Sequence, residues 1–156
     1  MTLAKDLGQK FMGRIGSQAI FMISHVSHIM ANKANRELAR LGFSLQIEQV
    51  PVLFVIYFAA DDLLSQQEIA NMLQKDKSGI QRSIRTLERD GYLRVVSDSV
   101  DRRKNLIRLT PAGRMIIEQV IQILETLDHE VMSQLSQEER DAFLATTQKI
   151  ITLIGK

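Results

Sequence analysis

The chain of 156 residues has no cysteine, only two prolines and 5 % aromatic residues. Without cysteine it has no disulfide framework, no thiol sensor and no cysteine-based zinc site. A chain rich in aliphatic residues and poor in proline favours a mostly helical protein with one sizeable core. Its function must therefore depend on groups other than thiols.

Long apolar runs are also missing. No uninterrupted stretch is long enough for a membrane-spanning helix, and Lys5 and Asp6 do not lead into the apolar part of a signal peptide. We therefore expect a cytoplasmic protein with no membrane partner.

The clearest pattern in the chain is a pair of short helices near its centre. Ser65 and Glu68 form an S-x-x-E capping box, which predicts the start of the first helix. A second helix should follow a polar turn, with Asp76 or Ser78 as its cap. Gly91 then predicts the end of that helix. Its apolar residues recur at helical spacing and are Ile80, Ile84 and Leu87.

A β-hairpin should follow the second helix. Residues 92–96 and 106–109 are rich in β-forming residues, and a polar loop separates them. Residues 63–64 can add a third short strand. Thr110 and Pro111 predict the start of another helix, as its N-cap and first helical residue. This order of elements is the plan of a winged helix-turn-helix.

Positive charge is concentrated on this motif. From Lys75 to Arg108 the chain has ten Lys and Arg against five Asp and Glu, a net charge of +5, whereas the other residues together carry −3. A local basic surface on a nearly neutral chain is typical of a protein that binds the phosphate backbone of nucleic acid. An ordinary solvated surface is the alternative that charge alone leaves open.

Two short motifs make the pattern specific. The segment DRRKNLIRLTPAG, preceded by a helix that ends LERDGYL, closely resembles the MarR (multiple antibiotic resistance regulator) family of bacterial winged-helix transcription factors. Its most specific parts are the D-x-R of Asp101 and Arg103 and the L-T-x-x-G of Leu109, Thr110 and Gly113. The resemblance implies a mainly α fold with a small β-hairpin wing, in which a winged helix-turn-helix joins a helical dimerisation region.

The second helix of the motif is the candidate for reading DNA in the major groove. Arginine can bind guanine through two hydrogen bonds, glutamine can bind adenine, and serine can contact a base or a phosphate. Gly79, where family members often carry a hydroxyl residue, would allow a close approach of the backbone, and Arg89 should lie outside the groove. The candidates on its exposed side are Lys77, Ser78, Gln81, Arg82 and Arg85.

The resemblance also gives the wing a role. In the family the arginine of D-x-R enters the minor groove and the aspartate holds it, which implies these roles for Arg103 and Asp101. A guanidinium suits the negative potential of a narrow minor groove. Arg102 and Lys104 are then candidates for phosphate contacts. Residues 97–100 contain no basic side chain, unlike the wing of some relatives.

Amphipathic helices flank this lobe. We expect N-terminal dimerisation helices in residues 1–45, the DNA-binding lobe in 46–112 and C-terminal dimerisation helices in 113–156, as one intertwined domain. The lobe is too small to cover every apolar face, so a homodimer should present two recognition helices about one turn of DNA apart. A bundle within one chain is the alternative. Pro51 should bend the helix predicted for residues 47–59 unless it lies in the first turn.

A small aromatic or anionic effector is the further partner that the resemblance implies. His25, His28 and Tyr57 are the polar candidates for its pocket, although such histidines are more often hydrogen-bonded core or interface residues. His25 and His28 share a helix face and could ligate zinc, with His129 and Glu130 completing the site if the fold brings them close. The sequence indicates no other metal site and no cofactor.

The predicted function is therefore that of a homodimeric MarR-type regulator, which binds pseudo-palindromic double-stranded DNA as a repressor until a small molecule releases it. The alternatives are a winged-helix module that binds protein and a zinc-responsive regulator. We do not expect an enzyme, because the sequence offers no nucleophile–base pair and no glycine-rich phosphate loop.

Overall fold

The protein is mainly helical with one small antiparallel sheet, as predicted. The computed structural model describes residues 8, 10, 13–59, 63–98 and 105–155. These belong to two compact units, residues 1–117 and 118–156. The helices and strands are α1 Ala19–Arg40, a 3₁₀ turn Ile47–Gln49, α2 Val50–Phe58, β1 Leu64–Ser65, α3 Gln66–Met72, α4 Lys77–Arg89, β2 Leu93–Ser97, β3 Asn105–Leu109, α5 Pro111–Met132 and α6 Gln137–Ile154.

Helix α2 lies in the core of the first unit. Its sequence is apolar almost all round, and Val50, Val52, Leu53 and Ile56 are buried. A helix without a polar face must have neighbours on several sides. Helix α2 accordingly packs against the 3₁₀ turn, α3, α4 and β3. Its apolar sequence is thus matched by neighbours on several sides.

Pro51 lies in the first turn of α2, where its missing N–H interrupts no helical hydrogen bond. The single helix predicted over residues 47–59 is instead a 3₁₀ turn followed by an α-helix. The turn is held by Asn35 Oδ1, which accepts the N–H of Ile47 at 2.7 Å. The proline therefore starts the helix and does not bend it.

The sheet has the strand order β1-β3-β2, with both pairings antiparallel. Leu64 pairs with Ile107, so the third strand suggested by the sequence is present. Leu93 pairs with Leu109, and Ser97 with Asn105. Strand β2 is thus an edge strand.

The second unit contains the later part of α5 and all of α6. Ser136 and Glu139 form a capping box: Ser136 Oγ accepts the Glu139 N–H at 3.2 Å, and Glu139 Oε2 accepts the Ser136 N–H at 2.8 Å. Arg140 donates to the carbonyl of Met132 at 3.3 Å and joins α6 to the end of α5. No residue of α6 is buried.

Apolar side chains are exposed in both units. In the first unit the later half of α1 buries Ala34 and Leu38, while its earlier half leaves apolar residues uncovered. The large exposed ones on α1 are Ile20, Met22, Ile23, Val26, Ile29 and Met30. On α6 they are Phe143, Leu144, Ile151, Leu153 and Ile154. None of the helices in the described ranges is long and apolar enough to cross a membrane.

Candidate nucleic-acid interface

Helix α4 has one buried and one exposed side. Ile80, Ile84 and Leu87 are buried at 4 % exposure or less. The side chains predicted to read DNA are all exposed and recur after three or four residues, at 77–78, 81–82 and 85, which places them along one side of the helix. The structure therefore brings together Lys77, Ser78, Gln81, Arg82 and Arg85.

Asp76 is the N-cap of α4, which resolves the choice between Asp76 and Ser78 that the sequence left open. Its Oδ1 accepts the Ser78 hydroxyl, and also the Gly79 N–H at 2.7 Å. The hydrogen bond from Ser78, followed by that from Gly79, lowers the pKa of Asp76 because both stabilise the charged form. The recognition helix thus begins at an ionised cap.

The turn between α3 and α4 has an unusual backbone. Gln74 has a φ of 50°, and the N–H of Lys75 donates to the carbonyl of Ala70 at 3.0 Å. This is a Schellman ending in which a glutamine occupies the left-handed position that glycine normally takes. Gln66 Nε2 also donates to the carbonyl of Lys77 at 3.1 Å, which ties the start of α3 to the start of α4.

The end of α4 is fixed to its surroundings by polar contacts. Gly91 has a φ of 82°, and the N–H of Tyr92 donates to the carbonyl of Leu87 at 2.9 Å, which forms the predicted helix ending. Asp90 accepts the Ser44 hydroxyl at 3.3 Å. Glu88 Oε1 accepts the N–H of Val95, in strand β2, at 3.0 Å.

The L-T-x-x-G motif joins α4, the sheet and α5. The Thr110 hydroxyl donates to the carbonyl of Gly91 at 2.6 Å and accepts the N–H of Gly113 at 3.0 Å. A Cβ at Gly113 would lie 2.1 Å from the carbonyl oxygen of Tyr92. The motif therefore needs a hydroxyl and a glycine for packing reasons that do not involve DNA.

The wing residues named from the resemblance, Asp101, Arg102, Arg103 and Lys104, lie outside the described residues. Strand β2 ends at Ser97 and β3 begins at Asn105, on either side of them in the sequence.

The candidate effector residues lie on two different helices. His25 and His28 are exposed on α1; His25 stacks on Phe21 with ring centroids 5.9 Å apart, and His28 Nε2 lies 3.0 Å from the side-chain amide of Asn32. Tyr57 is half-buried on α2, with its ring edge-on to Phe58. Within the described ranges no three His, Asp or Glu side chains form a group suited to a metal ion.

Sequence reasoning missed Gln74 and Glu88. The first could have been suspected, because the position follows the last apolar residue of a predicted helix. The second follows only from the tertiary structure, since nothing in the sequence pairs Glu88 with Val95.

The sequence model of the MarR family matches residues 41–104, which include α2, α3, α4 and β2. The chain is 29 % identical over 114 residues to the HTH-type transcriptional regulator BilQ of Clostridium symbiosum, a match that covers 73 % of this chain and 76 % of BilQ. Two further curated regulators, from Escherichia coli, are matched over 60 % and 61 % of their length, so the chain spans about three fifths of them.

Solved structures are also similar. The S. aureus MepR–DNA complex superposes with a TM-score of 0.79 at 28 % identity, over 88 % of this chain and 98 % of MepR. A mutant MarR from E. coli has a TM-score of 0.69 at 24 % identity, over 86 % of this chain and 96 % of the other, and supports the fold alone. These relatives are regulators of transcription rather than enzymes. With its helix-turn-helix, small sheet and basic helix α4, the chain resembles the MarR family of winged-helix, DNA-binding transcription regulators.

Proposed function

We propose that the protein is a homodimer that binds a pseudo-palindromic site in double-stranded DNA and represses nearby genes until a small molecule releases it. The observation that carries the proposal is the exposed side of α4, where basic and amide side chains stand opposite a fully buried apolar side. A rigidly packed helix with such a surface can enter the major groove without unfolding any part of the core.

In this proposal each exposed side chain of α4 contacts the DNA group that its hydrogen-bonding chemistry suits. Arg82 and Arg85 read guanine, Gln81 reads adenine, and Lys77 and Ser78 contact bases or phosphates near the helix start. Helix α4 contains four basic residues and one acidic residue, so its field also attracts the duplex.

The wing contributes a second contact by resemblance to the family. Arg103 enters the minor groove, Asp101 holds it, and Arg102 and Lys104 bind phosphates. The similar structure of MepR was solved as a complex with DNA, which supports DNA binding by this chain.

Exposed apolar residues support the homodimer. In the first unit, Ile20 and Ile23 on α1 are 78 % and 51 % exposed. In the second unit, Leu144 and Ile154 on α6 are 59 % and 77 % exposed. Several large apolar side chains exposed along one helix indicate a site of association. A second copy of the chain covers it, and the two recognition helices then address two half-sites of one duplex.

An effector is expected to act on the spacing of these two helices. His25, His28 and Tyr57 remain the polar candidates for binding a small aromatic or anionic molecule. His25 stacks on Phe21 and Tyr57 lies edge-on to Phe58, while His28 shares a face of α1 with His25. Since the target is chromosomal DNA of a bacterial type of cell, we expect the protein to act in the cytoplasm.

The test is fluorescence anisotropy of the purified protein with a duplex from upstream of its own gene and with a scrambled duplex, at two salt concentrations. Sequence-preferring binding that weakens steeply with salt is the expected result, because phosphate contacts release counterions. Equal, weak binding to both duplexes would contradict the proposal and favour a winged-helix module that binds protein with its basic surface.

A further inference from the structure

The last turn of the recognition helix contacts the edge of the sheet. Glu88 is the penultimate residue of α4, and its Oε1 accepts the N–H of Val95 at 3.0 Å. Val95 is the third residue of β2. The contact therefore joins the helix proposed to read bases to the strand that precedes the wing.

The sheet explains why this N–H is free to face the helix. In an antiparallel pair, successive residues alternate between pointing their N–H and C=O groups toward the partner strand and away from it. Strand β2 pairs only with β3 in the described sheet, so alternate N–H groups point outward from its edge. Val95 has such a group, and the Glu88 carboxylate accepts it. The bond is charge-assisted, which makes it stronger than a neutral one.

This contact differs from the others at the same corner. The bonds from Tyr92 to Leu87 and from Thr110 to Gly91 lie at the turn itself. Links at a turn leave the helix and strand free to pivot about it. The Glu88–Val95 bond instead reaches the third residue of β2, farther along the strand than Tyr92, and therefore restricts the angle between helix and strand. Apolar packing beneath it resists separation but has little directionality.

We infer that Glu88 is a positioning residue, which fixes the direction of α4 relative to β2 and thereby the alignment of the recognition helix with the wing on DNA. This inference rests on the proposed function. Arg85 precedes Glu88 by three residues, about 4.5 Å along the helix. A small pivot at Glu88 would therefore displace the base-reading side chains.

The sign of the effect separates this role from simple electrostatics. Glu88 is an acidic residue on a basic helix, so removal of its charge should strengthen binding to the phosphate backbone if charge alone mattered. Loss of the Glu88–Val95 hydrogen bond should instead weaken binding to the preferred sequence. Glu88→Ala removes both the charge and the acceptor, whereas Glu88→Gln removes the charge and keeps an Oε1 acceptor.

The experiment measures the affinity of the full-length wild type, Glu88→Ala and Glu88→Gln for the upstream and scrambled duplexes. Glu48→Ala is the matched control, since Glu48 is an exposed carboxylate of the 3₁₀ turn and its loss changes the net charge equally. We expect Glu88→Ala to bind the upstream duplex about three- to tenfold more weakly per recognition helix, the range for one net hydrogen bond. Glu88→Gln should bind as tightly as wild type or more tightly.

Amide hydrogen exchange measures the Glu88–Val95 hydrogen bond independently of DNA binding. The Val95 amide should exchange faster in Glu88→Ala than in Glu88→Gln, while the core amides of Leu87 and Ile107 stay equally protected. Unchanged or tighter binding by Glu88→Ala would overturn the inference, and so would equal weakening in both variants. If the wild type prefers neither duplex, the proposed function fails first; wild-type preference with an unaffected Glu88→Ala rejects the inference alone.

Discussion

Helices α4 and α6 are both amphipathic, yet they use their apolar sides differently. In α4, Leu87 is 0 % exposed within its own chain, whereas in α6 Leu144 is 59 % exposed. Helix α4 lies among α2, α3 and β2 in the first unit, which enclose its apolar side. The second unit is built from one helix and part of another. Two helices cannot enclose each other's apolar sides, so that unit needs a further layer.

The two helices contribute to different free energies, that of folding and that of association. The apolar side of α4 contributes to folding of the single chain. The apolar side of α6 can contribute only when something else covers it, and in our proposal that is a second copy. Substitutions in the two helices should therefore differ in their dependence on protein concentration.

The largest effect should come from Leu87→Ala, which leaves a cavity in the core of the first unit. We expect a loss of about 2–5 kcal/mol in the free energy of unfolding. Leu144→Ala, the same change on an exposed side chain, should cost less than about 0.5 kcal/mol in dilute protein. Denaturant unfolding at several protein concentrations checks both. Equal losses would mean that the two leucines do not occupy different environments.

A charge on α6 should act on association. Ile151→Glu would place a carboxylate in the proposed dimer interface and should weaken the dimer by about 2–4 kcal/mol, because a buried unpaired charge is costly. Ala145→Glu is the control, since helical spacing puts the exposed Ala145 on the other side of α6. Light scattering across a concentration range measures the dissociation constant. An Ile151→Glu protein with an unchanged dimer would refute the assigned interface.

The exposed side of α4 should act on DNA and not on folding. Arg82→Ala or Arg85→Ala should each cost about 1–3 kcal/mol in binding the preferred duplex and relax the preference at one base pair. Arg36→Ala is the control: Arg36 is exposed on α1, and its loss removes the same charge but should leave the sequence preference intact. Anisotropy with single-base variants of the duplex provides the measurement. Wild-type discrimination by both recognition-helix variants would show that α4 is not the reading element.

The smallest effect concerns the backbone of the helix-turn-helix. Gln74 has a left-handed φ of 50°, so Gln74→Gly should relieve strain and stabilise the protein by about 0.5–1 kcal/mol, net of the entropy that glycine adds to the unfolded chain. Gly91→Ala is the opposite change and should destabilise the protein. An added Cβ there meets nothing within 4 Å, so only the φ of 82° is unfavourable. Thermal unfolding should move in opposite directions for the two variants. If both variants shifted the unfolding temperature in the same direction, the left-handed backbone conformation would not be the main cause of their stability changes.

Local features of the fold were readable in the sequence. The capping box of Ser65 and Glu68, the helix ending at Gly91 and the apolar stripe of α4 depend on residues a few positions apart, and the structure confirms them. The exposed basic residues of α4 follow from the same periodicity. The helix predicted over residues 47–59 was partly wrong, because Asn35, twelve residues before Ile47, holds a 3₁₀ turn there.

Contacts between distant residues could not be read in this way. The bond from Val95 to Glu88 depends on which edge of the sheet faces α4, and the need for glycine at Gly113 depends on the position of the Tyr92 carbonyl. Both depend on distances that exist only after the helices and strands have packed.

Hydrophobic spacing, caps and charge thus specify this protein's helices, its small sheet and the exposed basic side of α4, because these properties act over one or two turns of chain. The tertiary structure alone decides which apolar sides are covered. The same amphipathic pattern is buried in α4 and exposed in α6, because burial depends on the elements that surround a helix in space and not on the helix's own sequence.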